Sequence, residues 1–313
     1  MARTNTLGNF LTDVAEAIRT KKGTSETIQA SQFDTEIANL PSGSDLDWSA
    51  IGYDSTPQSI VDGYNYAKYI QENWVDETSK LSDFKNVVIS PQLSLGNRTN
   101  LYGFARYLNS LLEIPLLDTS SVTTMSYMFE SCYSLATIPL LDTSSVTDMQ
   151  SMFSSCSMLT TIPLLNTSRV TNMVSMFSSC RKLTTIPLLD TSSVTTMSSM
   201  FLNCSSLATI PLLDTSNVTN MYDIFHGCTN LTTVPLLNTS SVTGNMNNMF
   251  AQCSKLSNES LDNILQMCIN ATAYTGTKTL YFLGLRSSYY SVSKIQALPH
   301  YQDFIDAGWT IGY

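Results

Sequence analysis

Charge is scarce in this chain. Of 313 residues only 13% are charged, with 16 Lys and Arg against 25 Asp and Glu and a formal net charge of -9. Binding nucleic acid through its phosphates needs clustered basic residues, so the composition points to no nucleic-acid partner. No apolar run reaches the length that spans a bilayer, which leaves no segment for membrane insertion. His226 and His300 are the only histidines. His226 lies close to Cys228, but no Asp or Asn at the spacing of a known triad supports a Cys–His pair. No Gly-rich phosphate loop and no paired-carboxylate motif occurs, so nothing marks an enzyme or a cofactor site. The seven Cys are odd in number and none forms C-x-x-C. The opening residues, Met1 to Gly8, have no apolar h-region, no cleavage site and no Cys for lipid attachment. The expectation is therefore a chain starting at or next to Met1, made in a cytoplasm without Sec export.

What is present is repetition, with Ser, Thr and Asn as the main polar residues. Ile114-Pro115-Leu116-Leu117-Asp118-Thr119-Ser120 returns at Ile138, Ile162, Ile186 and Ile210 and as Val234, each step being 24 residues. The unit reads I-P-L-L-[DN]-T-S-x-V-T-x-M-x-x-[MI]-F-x-x-C-x-x-L-x-[TE]. Its Met column is Met125, Met149, Met173, Met197, Met221 and Met246, the last step lengthened to 25 by Gly244-Asn245. Its Phe column runs from Phe129 to Phe250 and its Cys column from Cys132 to Cys253. A degenerate unit with Leu101, Phe104, Leu108 and Leu111 precedes them.

A unit this short cannot bury its own apolar face, whereas stacked units share one continuous core. The L-x-x-I-P-L-L segment, apolar and bounded by D-T-S, predicts a strand. The three- and four-residue spacing of V-x-x-M-x-x-M-F-x-x-C predicts one or two helical turns facing inward. The expected fold is an α/β repeat solenoid with a parallel sheet and short helices, preceded by a small helical segment. Six coils at about 4.8 Å each make a rod about 30 Å long.

The pattern V-T-x-M-x-x-M-F-x-x-C-x-x-L, as in Val146 to Leu159, resembles the BspA-like leucine-rich repeats of bacterial and phage surface proteins. The resemblance covers residues 98–257 and implies a leucine-rich-repeat solenoid that binds and builds. The Pro column (Pro115, Pro139, Pro163, Pro187, Pro211, Pro235) removes one backbone donor per coil. Since Pro is kept out of central strands, either the strand begins at Pro or the ladder skips one bond per coil.

The repeats at 98–257 are flanked by residues 1–44, an expected helical anchor and linker, by an amino-terminal cap at 45–97, and by a carboxy-terminal cap at 258–313. Leu7, Phe10, Leu11, Val14 and Ile18 share one helical face. Gly23 marks its end, and Phe33, Ile37 and Leu40 belong to a second helix that Ser31 can cap. These helices form either a hairpin packed on the solenoid or, the preferred reading, an anchor that oligomerises or docks, because two short helices cannot bury both faces alone. The stretch Asn9 to Arg19, through Lys22-Gly23-Thr24 to Phe33-Asp34-Thr35-Glu36-Ile37, resembles an amino-terminal segment of tail and baseplate proteins of phages infecting Gram-positive bacteria. Ser59 to Ile70 predicts a helix, and Phe84 to Ser90 a strand in register with the repeats. Lys278 to Leu283 predicts a last strand, and Ala307 to Tyr313 resembles the tail of many such repeat proteins, which implies a capping strand.

Each column Cys sits between inward Phe and Leu and reads as a small buried hydrophobe rather than a metal or redox site. The column Asp118, Asp142, Asn166, Asp190, Asp214, Asn238 brings calcium to mind, but the following Thr-Ser makes an Asx-turn or cap the simpler account. No metal and no cofactor is therefore expected. Candidate binding residues are the varying outward positions Tyr127, Tyr133, Arg169, Arg181, Lys182, Tyr222 and His226. A repeated Pro/Leu stripe is a further apolar contact surface. The expectation is a non-enzymatic virion component, in a phage tail, baseplate or fibre. Its amino terminus meets other virion proteins, its solenoid meets a host surface protein or glycan, and the chain forms a homo-oligomer, a trimer if it is a fibre. The alternatives are a bacterial cell-surface adhesin and a purely structural virion decoration protein.

Overall fold

The computed structural model describes residue 95, residues 98–282 except 110, 113, 115 and 116, and residues 290–312. The expected amino-terminal helices, the helix at 59–70 and the strand at 84–90 lie outside the described residues.

Successive coils stack in parallel at the repeat period. Isolated parallel bridges join Asn100 to Thr124, Thr124 to Asp148, Asp148 to Asn172, Asn172 to Thr196 and Thr196 to Asn220. The columns all point inward: Val146, Met149, Met152, Phe153, Cys156 and Leu159 are each fully buried, and their equivalents in the other coils follow them. Phe rings form one continuous stack, with centroids 5.8 Å apart from Phe129 to Phe153 and 5.3 Å apart from Phe225 to Phe250. The chain is a repeat solenoid, as the periodicity predicts, of the leucine-rich-repeat kind that the resemblance implies.

The segment expected to be helical is a succession of tight turns. Two residues per coil take left-handed backbone angles four positions apart, such as Ser151 (φ 52°) and Ser155 (φ 63°), which no helix accommodates. The resulting N–H groups alternate in direction. Those of Met149, Ser151, Phe153 and Ser155 donate to Asn172, Val174, Met176 and Ser178 of the next coil, at 2.6–3.0 Å. Those of Met152, Ser154 and Cys156 close turns onto Met149, Ser151 and Phe153. Chained turns and a helix both return to the same face every three or four residues, which is why the apolar spacing reads as helical. Ser178, which the spacing leaves outside, is only 8% exposed, because a left-handed corner follows it and folds it against the stack.

The opposite wall answers the proline question. Thr160 donates to Ala136 and Thr184 to Thr160, each at 3.3 Å, one bond per coil. Over the following I-P-L-L the described residues make no backbone bond between coils. The pairing ends before Pro, so Pro removes a donor that has no ladder to serve. A buried Thr resumes the tie: Thr143 Oγ1 donates 2.8 Å to the Asn166 carbonyl, and Thr119, Thr167, Thr191 and Thr215 repeat the bond one coil apart.

The far end is closed by helix α1 (Asn258–Asn270), strand β1 (Thr279–Tyr281), helices α2 (Val292–Gln296) and α3 (Tyr301–Asp306), and strand β2 (Thr310–Gly312). Ser257 caps α1 by accepting from the Ser260 N–H. Ser260 Oγ then accepts from Val234 N–H at 2.9 Å and donates to the Thr232 carbonyl at 3.1 Å, satisfying the last coil. Strands β1 and β2 pair in parallel, and Tyr281 N–H reaches the Asn247 carbonyl of the turn wall at 2.9 Å. Buried Trp309 stacks on Tyr274 at 5.3 Å.

Candidate binding surfaces

Two outward faces result, and they differ in kind. The turn wall varies from coil to coil. The wall opposite presents the same side chains in each described coil.

On the turn wall the residue before the inward Met (before Leu101 in the first coil) is Asn100, Asp148, Asn172, Asn220 or Asn245 in five coils, and its side chain accepts from the N–H two residues on. Asp148 Oδ1 holds Gln150 N–H at 2.9 Å and Asn172 Oδ1 holds Val174 N–H at 3.1 Å. These Asx bonds pair the one N–H that neither the turns nor the next coil reaches. Thr124 and Thr196 stand in two coils and make no such bond among the described residues. The sequence left this column as a variable position, although its Asn/Asp content is a readable signal.

Tyr127 lies on this wall at the first coils, in company that sequence reasoning missed. The Arg106 guanidinium lies 4.6 Å from the Tyr127 ring and 4.7 Å from the Tyr107 ring. It forms an ion pair with Glu130. The Tyr102 ring packs against Tyr127 with centroids 5.1 Å apart and planes tilted by 51°, and Gln150 Nε2 donates to the Tyr127 hydroxyl. Arg106 and Glu130 are 24 residues apart, so only stacking joins them. Tyr127 takes a left-handed φ of 59° where the equivalent residues are Ser151, Ser175 and Ser199. A bulky ring gains nothing locally from that backbone.

The other candidates do not gather with it. Tyr222 is 39% exposed and belongs to the turn wall several coils away. His226 is half-buried, with Nδ1 3.2 Å from Asp223 Oδ1. Tyr133, Arg181 and Lys182 are exposed where the chain leaves the turn wall. Exposed Arg169 sits at the corner after D-T-S. The candidates therefore spread over three edges of the coil and do not form one patch.

The D-T-S corners are Asx-turns. Asp118 Oδ1 accepts from the Ser120 N–H at 3.1 Å and from its hydroxyl at 2.7 Å, and Asp142 and Asp190 repeat the pair. The serine bonds hold these carboxyls below the usual carboxylate range. All seven thiols are buried and unbridged. In the column each Sγ donates to a carbonyl of the preceding coil, as Cys156 does to Phe129 at 3.1 Å. Burial pushes the thiols up, Cys228 to about 12. Among the described residues no group of His, Cys, Asp and Glu is placed to hold a metal.

The constant wall carries three rows. Thr137, Thr161, Thr185, Thr209 and Thr233 are exposed. Leu140, Leu164, Leu188 and Leu212 are 62–63% exposed and Leu236 is 40% exposed. Asp142, Asn166, Asp190, Asp214 and Asn238 form an exposed polar row beyond them.

Residues 99–209 and 184–275 match the model of a family described as "Mycoplasma protein of unknown function, DUF285", together more than half of the chain. Among solved structures, the leucine-rich-repeat protein TpLRR of T. pallidum is 25% identical. That match covers 58% of this chain and 82% of TpLRR, with a TM-score of 0.45. A leucine-rich-repeat protein from Bacteroides ovatus ATCC 8483 is 15% identical over 64% of this chain and 62% of its own, with a TM-score of 0.23. No curated protein matches the chain.

Proposed function

Because this chain belongs to the family described as "Mycoplasma protein of unknown function, DUF285", a description that leaves the activity open, we propose its function from its surfaces: a non-enzymatic adhesion protein whose turn wall recognises a partner. One observation carries the reading. The inward columns are the same in coil after coil, yet the turn wall puts Tyr107 and Tyr127 where the next coils have Ser, and gathers them with Tyr102 around Arg106. Tyr and Arg are the side chains that carry most binding energy at protein surfaces, because they bring large area at low conformational cost. Aromatic faces and a guanidinium suit a glycan or an extended polar segment of a surface protein. The thiols give no nucleophile, since burial keeps them protonated.

The amino-terminal segment holds the chain on its particle. Its resemblance to phage tail and baseplate segments favours a virion, with the solenoid turned toward the host. The bacterial sources of the family and of both leucine-rich-repeat structures favour the second reading, an adhesin on a bacterial cell surface.

The experiment is binding of the labelled full chain to intact bacteria and to their isolated wall glycan. Tyr127→Ala should weaken binding about tenfold or more, while Thr185→Ala on the opposite wall leaves it unchanged. Equal binding by both variants and wild type would move recognition off the turn wall. Antibody labelling of phage particles against whole cells separates the two placements.

A further inference from the structure

We propose that the constant wall is a self-association surface, on which two copies of this chain pair side by side with their rods parallel. The Leu row is the first reason. From Leu140 to Leu236 the exposed Leu recurs every 24 residues, once per coil, over a core whose rings repeat at 5.3–5.8 Å. A partner that covers the whole row must offer apolar groups at that same spacing. A second copy does so without adjustment, and an isologous contact uses one surface twice.

Charge selects the orientation. The Leu row is flanked by Thr on one side and by the Asp/Asn row on the other. A two-fold axis along the rod lays each acidic row against the partner's Thr row, where hydroxyls donate to carboxylates. A two-fold axis across the rod lays the acidic row on itself, Asp190 against Asp190 and Asp142 and Asp214 against Asn238 and Asn166, and takes every carboxylate of the row away from the Thr hydroxyls.

The area sets the strength. The wall from Thr137 to Asp142 spans about 17–20 Å at strand rise, and its five described coils span about 24 Å, so each copy contributes roughly 400–500 Å². Both copies together reach about 800–1,000 Å², the size of a weak, transient interface. The pairing is therefore concentration-dependent. It leaves the turn wall open for the recognition proposed above and does not depend on it.

The test uses the full chain. Leu140→Cys treated with a short bis-maleimide should give a covalent dimer, because like rungs face each other in the parallel pair. Leu236→Cys should do the same. A mixture of the two variants should give no excess of mixed dimer, which is the product of antiparallel pairing. The native thiols are buried and do not compete. Separately, the triple substitution Leu164→Glu, Leu188→Glu, Leu212→Glu should raise the dimer dissociation constant about 100-fold or more in sedimentation velocity. Its circular dichroism should remain that of wild type, since the replaced side chains are exposed. A trimer that forms without cross-linking at Leu140 or Leu236 overturns the proposal. Unchanged sedimentation of the triple variant, or predominant mixed dimers, does so as well.

Discussion

Phe177→Ala tests the stack where it is most complete. The ring is fully buried. It lies 5.8 Å from Phe153 with planes 6° apart, and 5.7 Å from Phe201 with planes 12° apart. Truncation loses the transfer energy of the ring and leaves a cavity between two coils, which cannot close because the turn-wall bonds fix their spacing. That class of change costs about 3–5 kcal/mol, of which the two ring contacts supply about 0.5–1.5 kcal/mol each. The main-chain bonds at this position survive in Ala. Phe177 N–H still reaches the Met200 carbonyl, and the Phe177 carbonyl still accepts from Cys204 Sγ. No polar group is orphaned, so the cost stays within the apolar range. Urea unfolding followed by far-UV circular dichroism reads it. With a slope of about 2–3 kcal/mol per molar, the midpoint should fall by roughly 1–2 M. Phe250, with one ring neighbour in the stack, should cost about 0.5–1.5 kcal/mol less. Exposed Thr185→Ala should stay within about 0.5 kcal/mol of wild type. A Phe177→Ala cost below about 1 kcal/mol, or equal to that of Thr185→Ala, would refute the continuous core.

High pH should unfold the solenoid through its thiols. Burial raises their pKa in the folded chain above the ordinary 9.0, to about 12 for Cys228, with Cys132, Cys156, Cys180, Cys204, Cys253 and Cys268 shifted in the same direction. Their contribution is therefore complete below pH 9 and is lost as pH climbs from 9 through 12, by about 1.4 kcal/mol per pH unit for each thiol. Urea midpoints at pH 8, 9.5 and 10.5 measure the slope, and a flat profile contradicts buried thiols. Asn172→Ala should cost about 1 kcal/mol by freeing Val174 N–H, and Thr196→Asn should gain about half of that or more by supplying the missing Asx bond. If both substitutions are neutral in the same urea assay, the side-chain cap does not matter.

Burial was legible from the columns alone. Met149, Phe153, Cys156 and Leu159 repeat because each coil must offer the same shape to its neighbours, and a repeated shape leaves a repeated letter. The Asx-turn at Asp118-Thr119-Ser120 was legible for a related reason, since its bonds are local and reach two residues along the chain. The helix expectation missed because spacing records only which residues face inward. Chained turns and a helix share that record, and the left-handed angles at Ser151 and Ser155 separate them.

The sequence by itself determined the repeat, its register, the inward face and the exposed Leu row, because one short unit must satisfy itself in copy after copy. Only the tertiary structure decided what meets across coils. Arg106 finds Tyr127 and Glu130, Thr143 finds the Asn166 carbonyl, and Cys156 finds the Phe129 carbonyl, each a full coil or nearly so along the chain. Those pairings depend on how far one coil is shifted and turned on the next. That offset is set by the sum of many weak contacts and backbone bonds along the stack, and no single stretch of residues encodes it.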